Sequence, residues 1–268
     1  FGSSMTRRWF RRPSGYLCLC HENLEDWVGE AIVTSTNRRL EGSVRRNWWG
    51  FAGKRSADVA LHERAGPQLL AECHKLRAEL PEAQVMVTRG GDLGARYVIH
   101  TVVPSHPSGR DPRPMPAPQA GDVATADEAE ELLKQAFSNA LGTARDLGVS
   151  TVCLPAMGCG CRGYPVEVAA GIGVAALQEA PIPYCEVRFW ETLTFRKWVQ
   201  LTEARLEGCE EADVREALWQ GKSLAEWHEE QEAKRKPGCA VAGEEPRGVA
   251  RRTGGEAKTW LRCGRGRA

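Results

Sequence analysis

The stretch Leu154-Pro155-Ala156-Met157-Gly158-Cys159-Gly160-Cys161-Arg162-Gly163-Tyr164-Pro165 decides the fold, because it joins two different structural patterns. Residues 151–154 before it form a short β-branched run, and residues 166–179 after it have helical spacing, with Pro165 suited to a first helical turn. Three glycines within six positions let backbone N–H groups approach an anion, which the N-terminus of the following helix also favours. The stretch predicts a phosphate-binding turn, although an ordinary tight turn has the same spacing.

Strand and helix patterns alternate outward from this loop. Apolar, β-branched runs lie at 31–34, 84–88, 97–103, 151–154 and 185–189, and helical patterns lie at 58–63, 67–76, 125–147 and 166–179. Thr125 and Glu128 have capping-box spacing at the start of the longest helix. Such alternation is typical of βαβ units, so we predict an α/β domain with a mixed, mostly parallel central sheet.

The composition of the remaining segments sets the predicted domain boundaries. Residues 1–17 are a basic N-terminal extension, and six prolines lie in a loop at 104–122 that cannot hold regular structure. The globular domain is predicted to cover residues 18–205. A charged helix follows at 206–236, whose apolar stripe includes Trp219 and Trp227 and serves either a partner or the domain itself. The Gly/Arg-rich tail at 237–268 is predicted to be disordered.

Charge and cysteine usage limit the class of protein. The net charge of +1 conceals basic ends, with four Arg and no acid in residues 1–20 and seven Lys/Arg against one Glu in residues 246–268. These ends are either solvated tails or contacts for a nucleic acid. Ten cysteines, several in apolar runs, indicate reduced core thiols in an intracellular protein, and the CxC pairs lack the spacing of ordinary zinc sites, so we predict no metal and no cofactor.

No apolar run approaches the length that spans a bilayer, so no membrane contact is predicted. The sequence opens on Phe1 rather than Met, and its Arg-rich, acid-free start also fits the remains of a transit peptide. Cytoplasm, nucleus and organelle therefore all stay open as predicted locations.

Two further segments carry polar groups at positions suited to a ligand. The run AIVTSTN at 31–37 ends a buried strand in Asn37, whose amide can donate and accept toward sugar hydroxyls. The run SADVALHERAG at 56–66 places Asp58 in the first turn of a helix, where the dipole alone would also favour an acid. These segments, with YVIHTVVP at 97–104 and the glycine loop, resemble in order the motifs of the macro domain family, which surround one ADP-ribose.

The resemblance implies a three-layer α/β/α fold and a set of site residues. Asn37 and Asp58 correspond to the distal-ribose Asn and the Asp that hydrolytic members use, so they are the predicted catalytic residues. The ligand-binding residues that the resemblance implies are Asn23, Leu24, Thr36, Gly158, Cys159, Gly160, Cys161, Arg162, Gly163, Phe189 and Trp190. In hydrolytic members water attacks an ADP-ribosyl ester or acetylated ADP-ribose, which a carboxylate can assist as general base.

The sequence departs from the family pattern at several of these positions. Asn23 stands where the family has an adenine-binding Asp, and Arg162 stands where an aromatic residue is frequent. Asn37 and Asp58 are 21 positions apart, because an insert at 38–56 replaces the usual glycine run with Trp and Arg residues. The residue that stacks on adenine is either Phe189 or Trp190. We therefore predict an ADP-ribosyl hydrolase, with a non-catalytic reader of ADP-ribose or ADP-ribosylated protein and a nucleic-acid-associated protein as alternatives.

Overall fold

A computed structural model describes residues 6–40, 56–76, 79–109, 125–222 and 224–235. In this part of the chain, eight strands form one sheet in the order β4-β5-β3-β6-β7-β2-β1-β8. The strands are β1 Arg7–Arg12, β2 Gly15–Cys20, β3 Gly29–Thr36, β4 Val85–Arg89, β5 Ala95–Val102, β6 Thr151–Pro155, β7 Tyr184–Arg188 and β8 Gly208–Cys209. The central strands β5, β3, β6, β7 and β2 are parallel, and the pairs at both ends of the sheet are antiparallel. The predicted mixed, mostly parallel sheet is confirmed.

Seven α-helices are present among the described residues, and they cover both faces of the sheet. They are α1 Ala57–Ala65, α2 Pro67–Leu76, α3 Ala126–Asp146, α4 Val166–Glu179, α5 Thr192–Glu203, α6 Glu211–Leu218 and α7 Leu224–Arg235. Alternate residues of β3 point to opposite cores: Val33 packs in the cluster that includes α3, α4 and α5, and Ile32 packs in the cluster that includes α1 and α2. The domain therefore has the three layers that the resemblance implies.

The N-terminal segment is part of the sheet, unlike the separate extension at residues 1–17 that the composition suggested. Trp9 and Phe10 are both buried, on opposite faces, so β1 shows no simple alternation of polar and apolar residues. Its arginines contact other residues of the same chain, and Arg12 is buried. Arg12 donates to the carbonyls of Leu177 and Ala180 at the end of α4, where a cation also suits the helix dipole.

The other N-terminal arginines form ion pairs with acids of the same chain. Arg7 pairs with Glu22, Arg8 with Glu203 and Arg11 with Asp213. These contacts give the basic N-terminus an intramolecular role, which differs from the nucleic-acid contact considered for it.

The C-terminal segment consists of two helices rather than the single charged helix predicted at 206–236. The break between α6 and α7 contains Gln220 and Gly221, both with positive φ, 52° and 82°. Trp219 and Trp227 are buried, and Trp219 contacts the rings of Trp9 and Tyr184. The apolar stripe therefore packs on the domain itself.

Several predictions fall outside the described residues. They concern the Trp/Arg part of the insert at 45–55, most of the proline-rich loop at 104–122 and the tail at 237–268. The cysteines that the structure describes are free thiols, and Cys153 and Cys185, which lie in apolar runs, are buried as predicted. Across the described ranges, no helix combines the length and the apolar character that a bilayer crossing requires.

Candidate functional site

The carboxyl ends of the parallel strands bring the predicted site residues to one edge of the sheet. Along this edge β3, β6, β7 and β2 are consecutive neighbours. The segments that follow them contain Asn37, the glycine loop, Trp190 and Asn23, in that spatial order. Ligands of open α/β sheets bind at this kind of edge. The residues come from four separate parts of the sequence, and parallel pairing is what places them together.

Asp58 lies in the first turn of α1 and contacts the end of β3. Thr34 Oγ1 donates to its Oδ1 at 2.9 Å, and Thr36 Oγ1 donates to its Oδ2 at 3.1 Å. Ser56 caps the helix, because its side chain accepts from the amide of Val59. The Asp58 side chain is only 3% exposed. The two threonines, which lie on the same side of β3, therefore fix the carboxyl group at the edge of the sheet.

Burial raises the pKa of Asp58 above its ordinary value, because the ionised form loses its hydration. Four groups act in the opposite direction: His62, the hydroxyls of Thr34 and Thr36, and the guanidinium of Arg162. His62 Nε2 lies 3.8 Å from Asp58 Oδ1, one helical turn along α1. The site thus contains a carboxyl group with an upward-shifted pKa and several groups that favour its ionisation.

The glycine loop has the backbone conformation that its sequence predicts. Gly158 and Gly163 have φ of 86° and 70°, a region that side chains disfavour, and a Cβ on Gly158 would lie 3.1 Å from the ring of Tyr164. The amides of Cys159, Gly163 and Tyr164 donate to carbonyls within the loop. Among the described residues, the amides of Gly158, Gly160, Cys161 and Arg162 have no acceptor, so these four are available to an anion.

Arg162 connects the glycine loop to the strand that holds Asp58. Its Nη2 donates to the carbonyl of Thr36 at 2.8 Å, and its own carbonyl accepts from the amide of His106 at 2.8 Å. Thr36 therefore binds Asp58 through its hydroxyl and Arg162 through its carbonyl. Asn37 is the next residue, and its carbonyl accepts from the amide of Leu40. The structure brings together Thr36, Asn37, Asp58 and the glycine loop.

The other end of the edge contains a buried ionic network that the sequence did not reveal. Arg188 Nε donates to Glu186 Oε1 at 2.6 Å, and its Nη1 donates to the carbonyl of Asn23 at 2.7 Å. Glu186 also accepts from the hydroxyl of Tyr184, and Glu22 pairs with both Arg188 and Arg7. The charged residues inside the apolar run of β7 are a signal in the sequence for such a network. Their partners cannot be predicted from it, because these depend on which strands pair. The network fixes the segment that contains Asn23.

Three predicted ligand contacts near this end differ in exposure. Leu24 is buried, and Phe189 is 2% exposed with its ring against Phe195 and Trp198. Trp190 is 57% exposed. Because a stacking ring must be accessible to the ligand, the geometry favours Trp190 over Phe189 for contact with a base.

One group of residues beneath Asp58 has side chains of metal-ligating type. Ligand atoms of His62, Cys73 and His100 lie within 4.8 Å of one another. His100 Nε2 lies 2.9 Å from Thr88 Oγ1, and burial raises the pKa of Cys73 to about 12. Two other ring nitrogens of the group, His62 Nε2 and His100 Nδ1, are buried and have no hydrogen-bond partner among the described residues.

The comparison with known families decides the identity of the fold. A family model described as Macro domain matches residues 33–173, which include the second half of β3, α1, β5 and the glycine loop. The chain belongs to the macro domain family. The resemblance inferred from four ordered motifs is thereby confirmed.

Some relatives of this macro domain are named for the domain, and others are named for an activity. The chain is 36% identical over 165 residues to a macro domain-containing protein of Streptomyces nogalater, covering 60% of this chain and 76% of that protein. It is 33% identical to an O-acetyl-ADP-ribose deacetylase of Cronobacter sakazakii, over 56% of this chain and 70% of the relative. Among solved structures, the Oceanobacillus iheyensis macrodomain with ADP has a TM-score of 0.61 at 25% identity, covering 75% of this chain and 97% of its own.

Proposed function

We propose that this macro domain binds ADP-ribose along the carboxyl edge of its sheet. The free amides of the glycine loop would hold the pyrophosphate, Asn37 and Asp58 would contact the distal ribose, and Asn23 with Trp190 would contact the adenine. The strand order supports this arrangement, because β6 lies between β3 on one side and β7 and β2 on the other. An extended diphosphate ligand centred on the glycine loop can therefore reach both groups.

We further propose that the domain hydrolyses ADP-ribosyl esters, either mono-ADP-ribose on an acidic side chain or O-acetyl-ADP-ribose. The observation that carries this proposal is the contact of Thr36 with both Asp58 and Arg162, which keeps the carboxyl group beside the glycine loop despite the 38–56 insert. Ionised Asp58 would take a proton from a water molecule while the water oxygen forms a bond to the carbonyl carbon of the ester. The bond from that carbon to the ribose oxygen then breaks, ADP-ribose leaves with the electron pair and receives the proton from Asp58, and the free carboxylic acid is the second product.

Release of ADP-ribose from a mono-ADP-ribosylated acidic peptide, followed by chromatography, tests this proposal. An Asp58→Ala variant is expected to lose about 100-fold or more in kcat/KM, which is the usual contribution of a general base. Glu179→Gln, at the exposed end of α4, is the matched control and should keep full activity. An Asp58→Ala variant as active as the wild type would contradict the assignment.

The burial of Asp58 supports a second candidate, a reader that binds ADP-ribose without turnover. Both carboxyl oxygens already accept from threonine hydroxyls, and little of the side chain is exposed to a water nucleophile. Calorimetry with ADP-ribose separates binding from catalysis. Heat of binding without release of ADP-ribose from the ester substrate would identify a reader, and no heat at millimolar ligand would reject both candidates.

A further inference from the structure

Three side chains that can bind a metal meet in the core between the helices α1 and α2 and the sheet. His62 lies on α1, Cys73 on α2 and His100 on β5, and one ligand atom of each lies within 4.8 Å of the other two. They are far apart in the sequence, and only the packing of both helices on β5 brings them together. The spacing of the CxC pairs, from which no metal was predicted, gives no information about such a group.

The group is buried and contains polar atoms that the protein does not satisfy. Cys73 and His100 are fully buried, and the side chain of His62 is 10% exposed. His62 Nε2 and His100 Nδ1 have no hydrogen-bond partner in the part of the chain that the structure describes. Buried polar atoms without a partner are uncommon, and a bound ion or water molecule is a frequent reason for them. The core at this point therefore has the character of a ligand site.

The separations between the ligand atoms fit a tetrahedral zinc ion. Zn²⁺ binds nitrogen at about 2.0–2.1 Å and thiolate sulfur at about 2.3 Å, so two such ligands lie about 3.4–3.6 Å apart. Cys73 Sγ already lies 3.7 Å from His100 Nε2. The bound of 4.8 Å means that His62 must approach by at most about 1.4 Å, which is within reach of a side-chain rotation. The ion would replace the hydroxyl of Thr88 as the partner of His100 Nε2.

The chemistry of the group also suits zinc. Two imidazoles and a thiolate are typical zinc ligands, whereas Mg²⁺ and Ca²⁺ prefer oxygen. When Zn²⁺ binds, the S–H bond of Cys73 breaks, the proton passes to the solvent and a Zn–S bond forms. The thiolate supplies one negative charge, and ionised Asp58, whose Oδ1 lies 3.8 Å from His62 Nε2, supplies a second. Together they balance the charge of a divalent ion in the core.

We propose that His62, Cys73 and His100 form a zinc site that fastens α1 and α2 to β5. All three ligands lie on regular elements, so the role of the ion is structural. It would fix α1 on the sheet, and with it the first turn that contains Asp58. The site is separate from the glycine loop and does not depend on the proposed binding of ADP-ribose.

Zinc uptake by the wild type tests the site without any substitution. The full chain, without a histidine tag and freed of metal by a chelator, is titrated with Zn²⁺ in competition with a coloured zinc indicator. One equivalent should bind tightly. X-ray absorption at the zinc edge should then show one sulfur and two or three nitrogen or oxygen neighbours. At a hundredfold excess of free Zn²⁺ over Kd, the melting temperature should rise by about 5–10 °C.

Substitutions assign the bound ion to these residues. Cys73→Ala and His100→Gln should each lose the tight equivalent and the rise in melting temperature. His74→Gln and Cys161→Ser are the matched controls, because both residues are exposed and lie outside the group, and they should keep both properties. Melting curves of the metal-free variants show whether each one folds.

Three results would overturn the zinc site. The first is a wild type that takes up no tight equivalent, which would leave a water molecule as the partner of the ring nitrogens. The second is an ion with two sulfur neighbours or none, which would place it on a CxC pair or on surface side chains. The third is a folded Cys73→Ala variant that binds Zn²⁺ as tightly as the wild type. None of these results bears on the binding of ADP-ribose, which the calorimetry described above decides.

Discussion

Asp58 is the residue at which catalysis and stability are expected to conflict. Burial raises its folded-state pKa above the unfolded value of about 3.9, so the stability that it contributes is present below that pH and is lost as pH rises through the folded-state pKa. At neutral pH the ionised carboxylate is therefore destabilising. We expect Asp58→Asn to lower hydrolysis as strongly as Asp58→Ala does, while raising the free energy of unfolding at pH 7.

Urea denaturation from pH 4 to pH 8 checks this expectation. The wild type should lose stability relative to Asp58→Asn as the pH rises. If the asparagine variant is less stable than the wild type at every pH, Asp58 is a structural helix acid held by Thr34 and Thr36, and the reader becomes the better description.

His100 has the opposite effect on the pH dependence of stability. Its burial lowers its pKa to about 3, with the nearby His62 acting in the same direction. The folded state therefore excludes a proton that the unfolded state binds below about pH 6.5, so stability falls as the pH decreases from about 6.5 toward 3. The expected loss is about 1.4 kcal/mol for each pH unit in that window.

A His100→Gln variant should show a shallower decline of stability with decreasing pH than the wild type, because glutamine binds no proton. His74→Gln is the matched control, since His74 is exposed at the end of α2. Chemical denaturation at pH 4.5 and pH 7 provides the comparison. Equal slopes for His100→Gln and the wild type would show that His100 is protonated in the folded state.

At the scale of elements, two glycines of α4 provide a matched test of helix packing. A Cβ on Gly173 would lie 2.4 Å from Trp198 Cη2 of α5 and 2.9 Å from Phe137 Cζ of α3, whereas a Cβ on Gly171 would meet no atom within 4 Å. Gly171→Ala should stabilise the domain by about 0.5–1 kcal/mol through helix propensity. Gly173→Ala should destabilise it by about 1–3 kcal/mol, because the rings cannot yield freely. Thermal unfolding with opposite shifts of the midpoint would agree with this packing, and equal shifts would contradict it.

The elements that the sequence predicted are those with regular local patterns. The run from β6 through the glycine loop to α4 has a clear strand, turn and helix signature, and Asn37 and Asp58 lie within recognisable motifs. β1 was not predicted, because it buries adjacent residues on both faces and carries four arginines. The charged residues in β7 also make the burial of this strand difficult to predict from the sequence. The contact between Arg188 and Asn23 depends on the parallel pairing of β7 with β2, and no local pattern specifies that pairing.

At the scale of the whole molecule, the two ends of the chain extend one edge of the macro domain sheet. The family model covers residues 33–173, while β1, β2, β7, β8 and the helices α5, α6 and α7 lie outside it. β2 pairs with β7 and provides the Glu22–Asp26 segment at its end, so part of the candidate site depends on the N-terminal hairpin. The aromatic cluster of Trp9, Tyr184, Trp219 and Trp227 joins this hairpin to α6 and α7. The stability of the site should therefore depend on residues far from the glycine loop in sequence.

Removal of the C-terminal helices tests this dependence directly. In a chain that ends at Cys209, the rings of Trp9 and Tyr184 lose the ring of Trp219, whose centroid lies 5.8 Å from each of them. The melting temperature should fall, and Trp219→Ala in the full chain should lower the free energy of unfolding by about 3–5 kcal/mol, as expected for a buried tryptophan.

Trp9→Ala should then destabilise the shortened chain much less than the full chain, because the two rings are in contact and their effects are not additive. Leu193→Ala, on an exposed position of α5, should be nearly neutral in both chains. Equal melting temperatures for the full and shortened chains would show that α6 and α7 add nothing to the stability of the sheet.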